Sequence, residues 1–138
     1  MKLTPYLLFD GNCAEAMTFY KACLGGELTL TPLGDSPMKG QFPAEQHNKV
    51  VNSRLTSGAL DISASDWLHS TRTPKQGNTV CLYMSEGAYK DLKEIFEKLS
   101  EGADLALLDP LGEMPFGSYG ALTDKFGVRW MFQGEKQG

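Results

Sequence analysis

The sequence contains no run of basic residues. Its 13 Lys and Arg are outnumbered by 17 Asp and Glu, for a net charge of −4 and a pI near 5.1. Affinity for a phosphate backbone comes mainly from clustered Lys and Arg, so this composition disfavours a nucleic-acid binder. Cysteine is scarce as well. Cys13, Cys23 and Cys81 leave an odd number with no C-x-x-C spacing, which speaks against a close-paired zinc or redox motif. No apolar stretch approaches a membrane span, and the N-terminus leads from Lys2 into a strand-like run without an apolar leader. A reducing, cytoplasmic compartment with no membrane partner is the expectation. Histidine occurs only as His47 and His69, each in a polar stretch that reads as a loop, where a solvent-exposed role is the default.

What is present is ordinary for a globular chain: 41% hydrophobic and 22% charged residues in 138 positions. That length fits one domain, 1–138, with roughly two thirds of its unfolded surface buried. Residues 3–9 are apolar and aromatic and predict a strand, with Pro5 marking an edge position. Asp10-Gly11-Asn12 is a turn. Asn12 is placed to cap a helix, with Glu15 completing a capping box. Met17, Tyr20 and Leu24 recur at helical spacing, and Gly25-Gly26 stops the helix. Strands are predicted at 28–33, 49–56 and 59–64, the last two forming a hairpin at Ser57-Gly58; 34–48 and 67–78 read as loops.

The order then repeats. A strand at 79–84 leads to a helix capped by Ser85 and ended by Gly102. Strands follow at 104–111, 119–123 and 128–132, with a loop at 112–118. Met17 and Leu92, Tyr20 and Ile95, and Leu24 and Leu99 are each 75 positions apart, as are Leu7 and Leu82, and Phe9 and Met84. Both halves read strand–helix–strand–strand–strand, in modules at about 1–68 and 76–134. One helix cannot cover both faces of a four-stranded sheet, so each module leaves a face for something else. The repeated order is the signature of internal duplication.

Several segments carry a resemblance. Pro5-Tyr6 leads to Gly11-Asn12-Cys13-Ala14-Glu15-Ala16, then Phe19-Tyr20 and Leu24-Gly25-Gly26; the middle runs Gly58-Ala59-Leu60 to Ser65-Asp66; the end has Phe116-Gly117-Ser118-Tyr119-Gly120, Asp124, Phe126-Gly127 and Trp130. In this order they resemble the PhnB-like branch of the glyoxalase/bleomycin-resistance (vicinal oxygen chelate) superfamily. The resemblance implies an α+β fold of two tandem βαβββ modules whose curved mixed sheets surround a cleft, and a homodimer. Some relatives carry a label as ubiquinone-pathway methyltransferases, but no glycine-rich strand-to-helix turn of the dinucleotide-binding kind follows a strand here.

Enzymes of the superfamily hold one divalent metal with inward-pointing His and Glu, and a metal that polarises a carbonyl needs several convergent ligands. The corresponding strands offer Tyr6, Thr79 with Val80, and Trp130 with Met131. Asn52 stands where many PhnB-like relatives have His. Asp61 is the one carboxylate on such a strand. Lying between Leu60 and Ile62, it either points to solvent or meets a cationic ligand. The expectation is therefore a small-molecule binder with no metal or other cofactor, resembling relatives that sequester an antibiotic. Tyr6, Asn52, Asp61, Trp67, Tyr119 and Trp130 are the candidate ligand contacts. The alternative is a metal-dependent lyase, isomerase or dioxygenase, for which His47, His69 and Glu113 would have to converge with Asp61. Cys13, in the first turn of a helix, is a lesser candidate for a reactive thiolate.

Overall fold

The structure is a computed structural model and describes residues 1–137. The chain divides into two compact units, Met1–Lys75 and Gln76–Gly138. The first contains β1 (Tyr6–Phe9), α1 (Cys13–Leu24), β2 (Glu27–Pro32), β3 (Val50–Ser57) and β4 (Leu60–Asp66). The second contains β5 (Leu82–Gly87), α2 (Tyr89–Leu99), β6 (Asp109–Met114), β7 (Gly117–Thr123) and β8 (Arg129–Gly134). The sheet orders are β1-β4-β3-β2 and β5-β8-β7-β6, so the expected duplication is present in the topology. In each sheet the first strand runs parallel to the last, and the remaining pairs are antiparallel.

In the first unit α1 packs on β2, β3 and β4. Cys13, Ala16, Met17, Tyr20, Cys23 and Leu24 form its buried face. Strand alternation supplies the opposing surface: Ser53 and Leu55 of β3 are buried, while the alternating Asn52 and Arg54 are exposed. The register places Leu55 beside Ile62 and Ser53 beside Ala64, all four buried. Each such Leu or Ile contributes about 1.5–3 kcal/mol relative to exposure. Gly26 follows the helix at φ +88°, and a Cβ there would lie 2.0 Å from the Thr56 carbonyl oxygen, so no larger residue fits the return to β2.

The expected cap of α1 is not the one formed. Asn12 makes no side-chain cap bond. Instead the Cys13 backbone N–H donates to Asp66 Oδ1 at 2.9 Å, and Asp66 Oδ2 accepts the Val50 N–H at 2.8 Å. Asp66 is 3% exposed. A carboxylate from the end of β4 thus replaces the local cap, because it satisfies an orphan helix donor and the first donor of β3 together.

In the second unit Phe96 of α2 meets Phe132 of β8 edge-on, with ring centroids 5.2 Å apart. Leu92, Phe96 and Leu99 are buried, and Leu92 and Leu99 occupy the positions matched to Met17 and Leu24. Two boundaries differ from expectation. Ser85 does not cap α2; it pairs with Gln133, and β5 continues to Gly87 through an irregularity that holds Glu86 at φ +64°. The segment 104–111 does not begin as a strand. Asp104 accepts the Ala106 N–H at 3.0 Å, Leu105–Leu107 form a short helical turn, and β6 shifts to Asp109–Met114. The loop 34–48 contains three short helical turns, at Leu33–Asp35, Lys39–Gln41 and Ala44–Gln46.

Asp66→Asn removes one of the two acceptor oxygens from a buried site. It should cost roughly 1–3 kcal/mol in urea denaturation with little change in slope. Asn12→Ala, which removes no bond, should cost far less.

Candidate functional site

In each sheet the helix packs on one face, and alternate strand residues turn to the opposite, helix-free (open) face. In the first unit the register puts Tyr6 beside Ser63, Arg54 beside Ser63, Asn52 beside Thr31 and Asp61 beside Thr56. Tyr6, Asn52 and Asp61 therefore share the open face. Tyr6 is 51% exposed and Asn52 is exposed.

Asp61 is not free to meet a cation. Arg54 donates to both of its oxygens, Nε to Oδ1 at 3.0 Å and an Nη to Oδ2 at 2.8 Å, and Lys2 Nζ pairs with the same carboxylate. The Arg54 hydrogen bonds, followed by that of Lys2, hold its carboxyl well below the usual carboxylate range. The same bonds raise the Arg54 guanidinium. The sequence signal read at Asp61 was its place on an alternating strand, which says nothing of a partner 59 residues away.

Both tryptophans have committed their N–H groups. Trp67 Nε1 donates to the Arg72 carbonyl at 2.6 Å and leaves the ring half-buried. Trp130 is 2% exposed and donates to Asp124 Oδ2 at 2.8 Å. It lies beside Leu82 and Leu122 on the α2 side of its sheet. Trp130, expected at a ligand, is a core residue: Asp124 satisfies its polar handle inside the fold, and also accepts the N–H groups of Phe126 and Val128.

Tyr119 lies on the open face of the second sheet, directly opposite Gln133. Two residues missed in the sequence join it there. Tyr83 of β5 pairs with Met131 on the same face, and its hydroxyl donates to Gln133 Oε1 at 3.0 Å. Tyr83, Gln133 and Tyr119 form a row across β5, β8 and β7. Tyr83, Ser85, Glu86, Gln133, Gly134 and Glu135 line a depression of about 490 Å³ at the end of this row. Tyr83 was readable only as an exposed alternate in a strand that pattern reasoning began three residues too early. Gln133 had been left outside the last strand.

Of the groups that would have to hold a metal, His47, His69 and Asp61 have internal partners. His47 Nε2 lies 2.9 and 3.0 Å from the carbonyl oxygens of Lys39 and Phe42, which only a protonated nitrogen satisfies. His69 Nδ1 accepts the N–H groups of Thr71 and Arg72. Glu113 is exposed on β6, opposite Ser118. Among the described residues no three His, Cys, Asp or Glu side chains are grouped as a metal site. The Cys13 thiol is fully buried, 3.6 Å from Ser53 Oγ. Burial pushes it up to about 11, the Ser53 hydrogen bond opposes this, and the Asp66 charge adds to it. Burial outweighs the helix-terminus effect that would favour a thiolate.

The duplicated βαβββ topology defines a protein of the glyoxalase/bleomycin-resistance fold. A glyoxylase/bleomycin resistance protein/dioxygenase domain from Frankia sp. EAN1pec shares it, with a TM-score of 0.61 at 17% identity over 99% of this chain and 98% of that one. Within that class the chain belongs to the PhnB-like family described as 3-demethylubiquinone-9 3-methyltransferase, whose model matches residues 1–133. It is 33% identical to protein PA1353 from Pseudomonas aeruginosa, with a TM-score of 0.84 and 99% of both chains covered. It is 30% identical to protein YjdN of Escherichia coli (strain K12), over 99% of this chain and 97% of that protein.

The Cys13 environment has a measurable consequence. An ordinary thiol titrates near 9.0, whereas this one is held protonated to about 11. The stabilisation is present below pH 9 and is lost as pH rises towards 11, because the unfolded thiol ionises first. Urea unfolding at pH 8 and pH 10.5 should show a loss of stability that is smaller in Cys13→Ala. At pH 8 the native protein should not be labelled at Cys13 by a thiol reagent until it is unfolded.

Proposed function

We infer that this chain binds a small organic molecule on the open face of its second sheet, without a metal. The row Tyr83–Gln133–Tyr119 carries the reading. Two aromatic side chains flank an amide whose orientation is set by a hydrogen bond, beside a depression in the size range of ligand sites. Rigid strands hold all three residues, so little side-chain freedom is lost on binding.

Within the first unit, Tyr6 and Asn52 are proposed as ligand contacts on the open face of that unit's own sheet. Asp61 contributes there as the anchor that orients Arg54 and Lys2. Trp67 contributes through its loop, and Trp130 by supporting β8 from behind. The reading without a metal is supported by the donor inventory: Nε2 of His47, Nδ1 of His69 and both oxygens of Asp61 have internal partners. Methyl transfer, which the family description names, does not follow from membership, since one scaffold hosts many chemistries. The turn before α1 has one glycine, Gly11, and no glycine-rich cradle for a nucleoside-containing donor. A cytoplasmic homodimer completes the reading. The exposed Leu8 on β1, an edge strand of its sheet, is apolar surface that a second copy would cover.

Elemental analysis of protein purified without added metal should find far less than one Zn, Ni or Mn per chain, and EDTA should leave the melting temperature unchanged. A screen of small aromatic compounds should return hits that raise it. A compound present at about 100 times its Kd adds roughly 2.7 kcal/mol. Gln133→Ala should abolish the rise while changing the ligand-free melting temperature little. One tightly held metal per chain would instead favour a metal-dependent lyase, isomerase or dioxygenase.

A further inference from the structure

We propose that the depression at the ends of β5 and β8 selects small organic cations, amines or quaternary ammonium groups; this rests on the binding reading above and names its ligand class. The lining is Tyr83, Ser85, Glu86, Gln133, Gly134 and Glu135, with two carboxylates and no Lys, Arg or His. Neither Glu86 nor Glu135 forms an ion pair among the described residues, where six such pairs engage other acidic groups. This contrasts with Asp61, whose charge Arg54 and Lys2 neutralise. Two carboxylates without an ion-pair partner on this surface depression favour a positive guest.

The backbone ties together the two segments that carry these exposed glutamates. The irregularity between Ser85 and Gly87 leaves Glu86 as the one described non-glycine residue at positive φ. The Glu135 N–H donates to the Gly87 carbonyl at 3.1 Å, which ties the residue after β8 to the residue after Glu86. Gly134 permits this closeness: a Cβ there would lie 2.4 Å from the Gly87 oxygen and 2.3 Å from Leu92 Cδ1. An aspartate or glycine would adopt the Glu86 conformation more readily, so a glutamate held there is a side chain kept at a backbone cost.

The nature of the cation follows from the remaining groups. A hard divalent ion needs six or more oxygen ligands or a tight octahedral cage, which a wide hollow with two carboxylates does not offer. Tyr83 is 56% exposed and supplies an aromatic ring, which attracts an ammonium through its quadrupole. Ser85 and Gln133 accept hydrogen bonds from an amine. Carboxylate, aromatic and neutral acceptor together match an organic ammonium better than a bare ion.

The experiment is an NMR titration of the full chain with choline and, separately, with its neutral isostere 3,3-dimethylbutan-1-ol. Choline should give saturable amide shifts centred on Tyr83, Glu86, Gln133 and Glu135, weakened by added salt, and the alcohol should bind at least tenfold more weakly. Glu86→Gln and Glu135→Gln should each weaken choline binding about fivefold, with unchanged melting temperatures as the control for folding. Tyr83→Leu should weaken it further, while Tyr83→Phe, which keeps the ring, should not. If the alcohol binds as tightly as choline, or the double Glu→Gln variant binds choline unchanged, the charge assignment is overturned while small-molecule binding stands. If neither compound nor any member of the aromatic screen binds, both readings fall. Saturable Mn²⁺ binding at Glu86 and Glu135 that displaces choline would replace the proposal with a metal site.

Discussion

The first unit depends on one buried carboxylate. Asp66 closes β4, and its two oxygens receive the first N–H of α1 and the first N–H of β3. The next residue, Trp67, donates its N–H to Phe9 at the end of β1. Three strand ends and a helix start are thus joined within a few ångströms of one charge. A charge this deep is tolerable only because each oxygen has a strong donor. The consequence for function is register. With β3 and β4 locked at this end, strand alternation turns Asn52, Arg54 and Asp61 to the open face and Ser53, Leu55 and Ile62 to α1. A slip of one residue would exchange the two sets.

The second unit solves the same problem with Asp124. It takes two backbone N–H groups of its own turn and the indole N–H of Trp130, so the large ring can be buried without an orphan donor. Burying Trp130 on one side of β8 commits Met131 and Gln133 to the other. That choice creates the open-face row with Tyr83 and Tyr119. The duplicated units have therefore diverged most where their open faces differ. The first neutralises its carboxylate with Arg54 and Lys2, whereas the second leaves Glu86 and Glu135 unpaired beside a hollow.

The parts of the fold legible in sequence were those set by short-range periodicity. Met17, Tyr20 and Leu24 marked the α1 face, Leu92 and Leu99 marked that of α2, where Phe96 is buried in place of the expected Ile95, and Gly25-Gly26 marked the stop. The misses share a cause, which is a long-range partner overriding a local preference. Asn12 had the composition of a cap but lost to Asp66. Ser85 had the composition of a cap but was kept in β5 by Gln133. Trp130 had the composition of a ligand contact but was satisfied by Asp124. Asp61 could be read either as a solvent-facing carboxylate or as a partner for a cation, and Arg54 and Lys2 already engage its charge.

By itself the sequence determined the class of the protein. The repeated order of elements, the glycine stops and the apolar spacing follow from backbone geometry and amphipathicity, which act within a few residues and can be read locally. Only the tertiary structure decided which carboxylates carry free charge and which face each aromatic ring presents. Ion pairing and strand register are settled by residues tens of positions apart, and no local pattern records them.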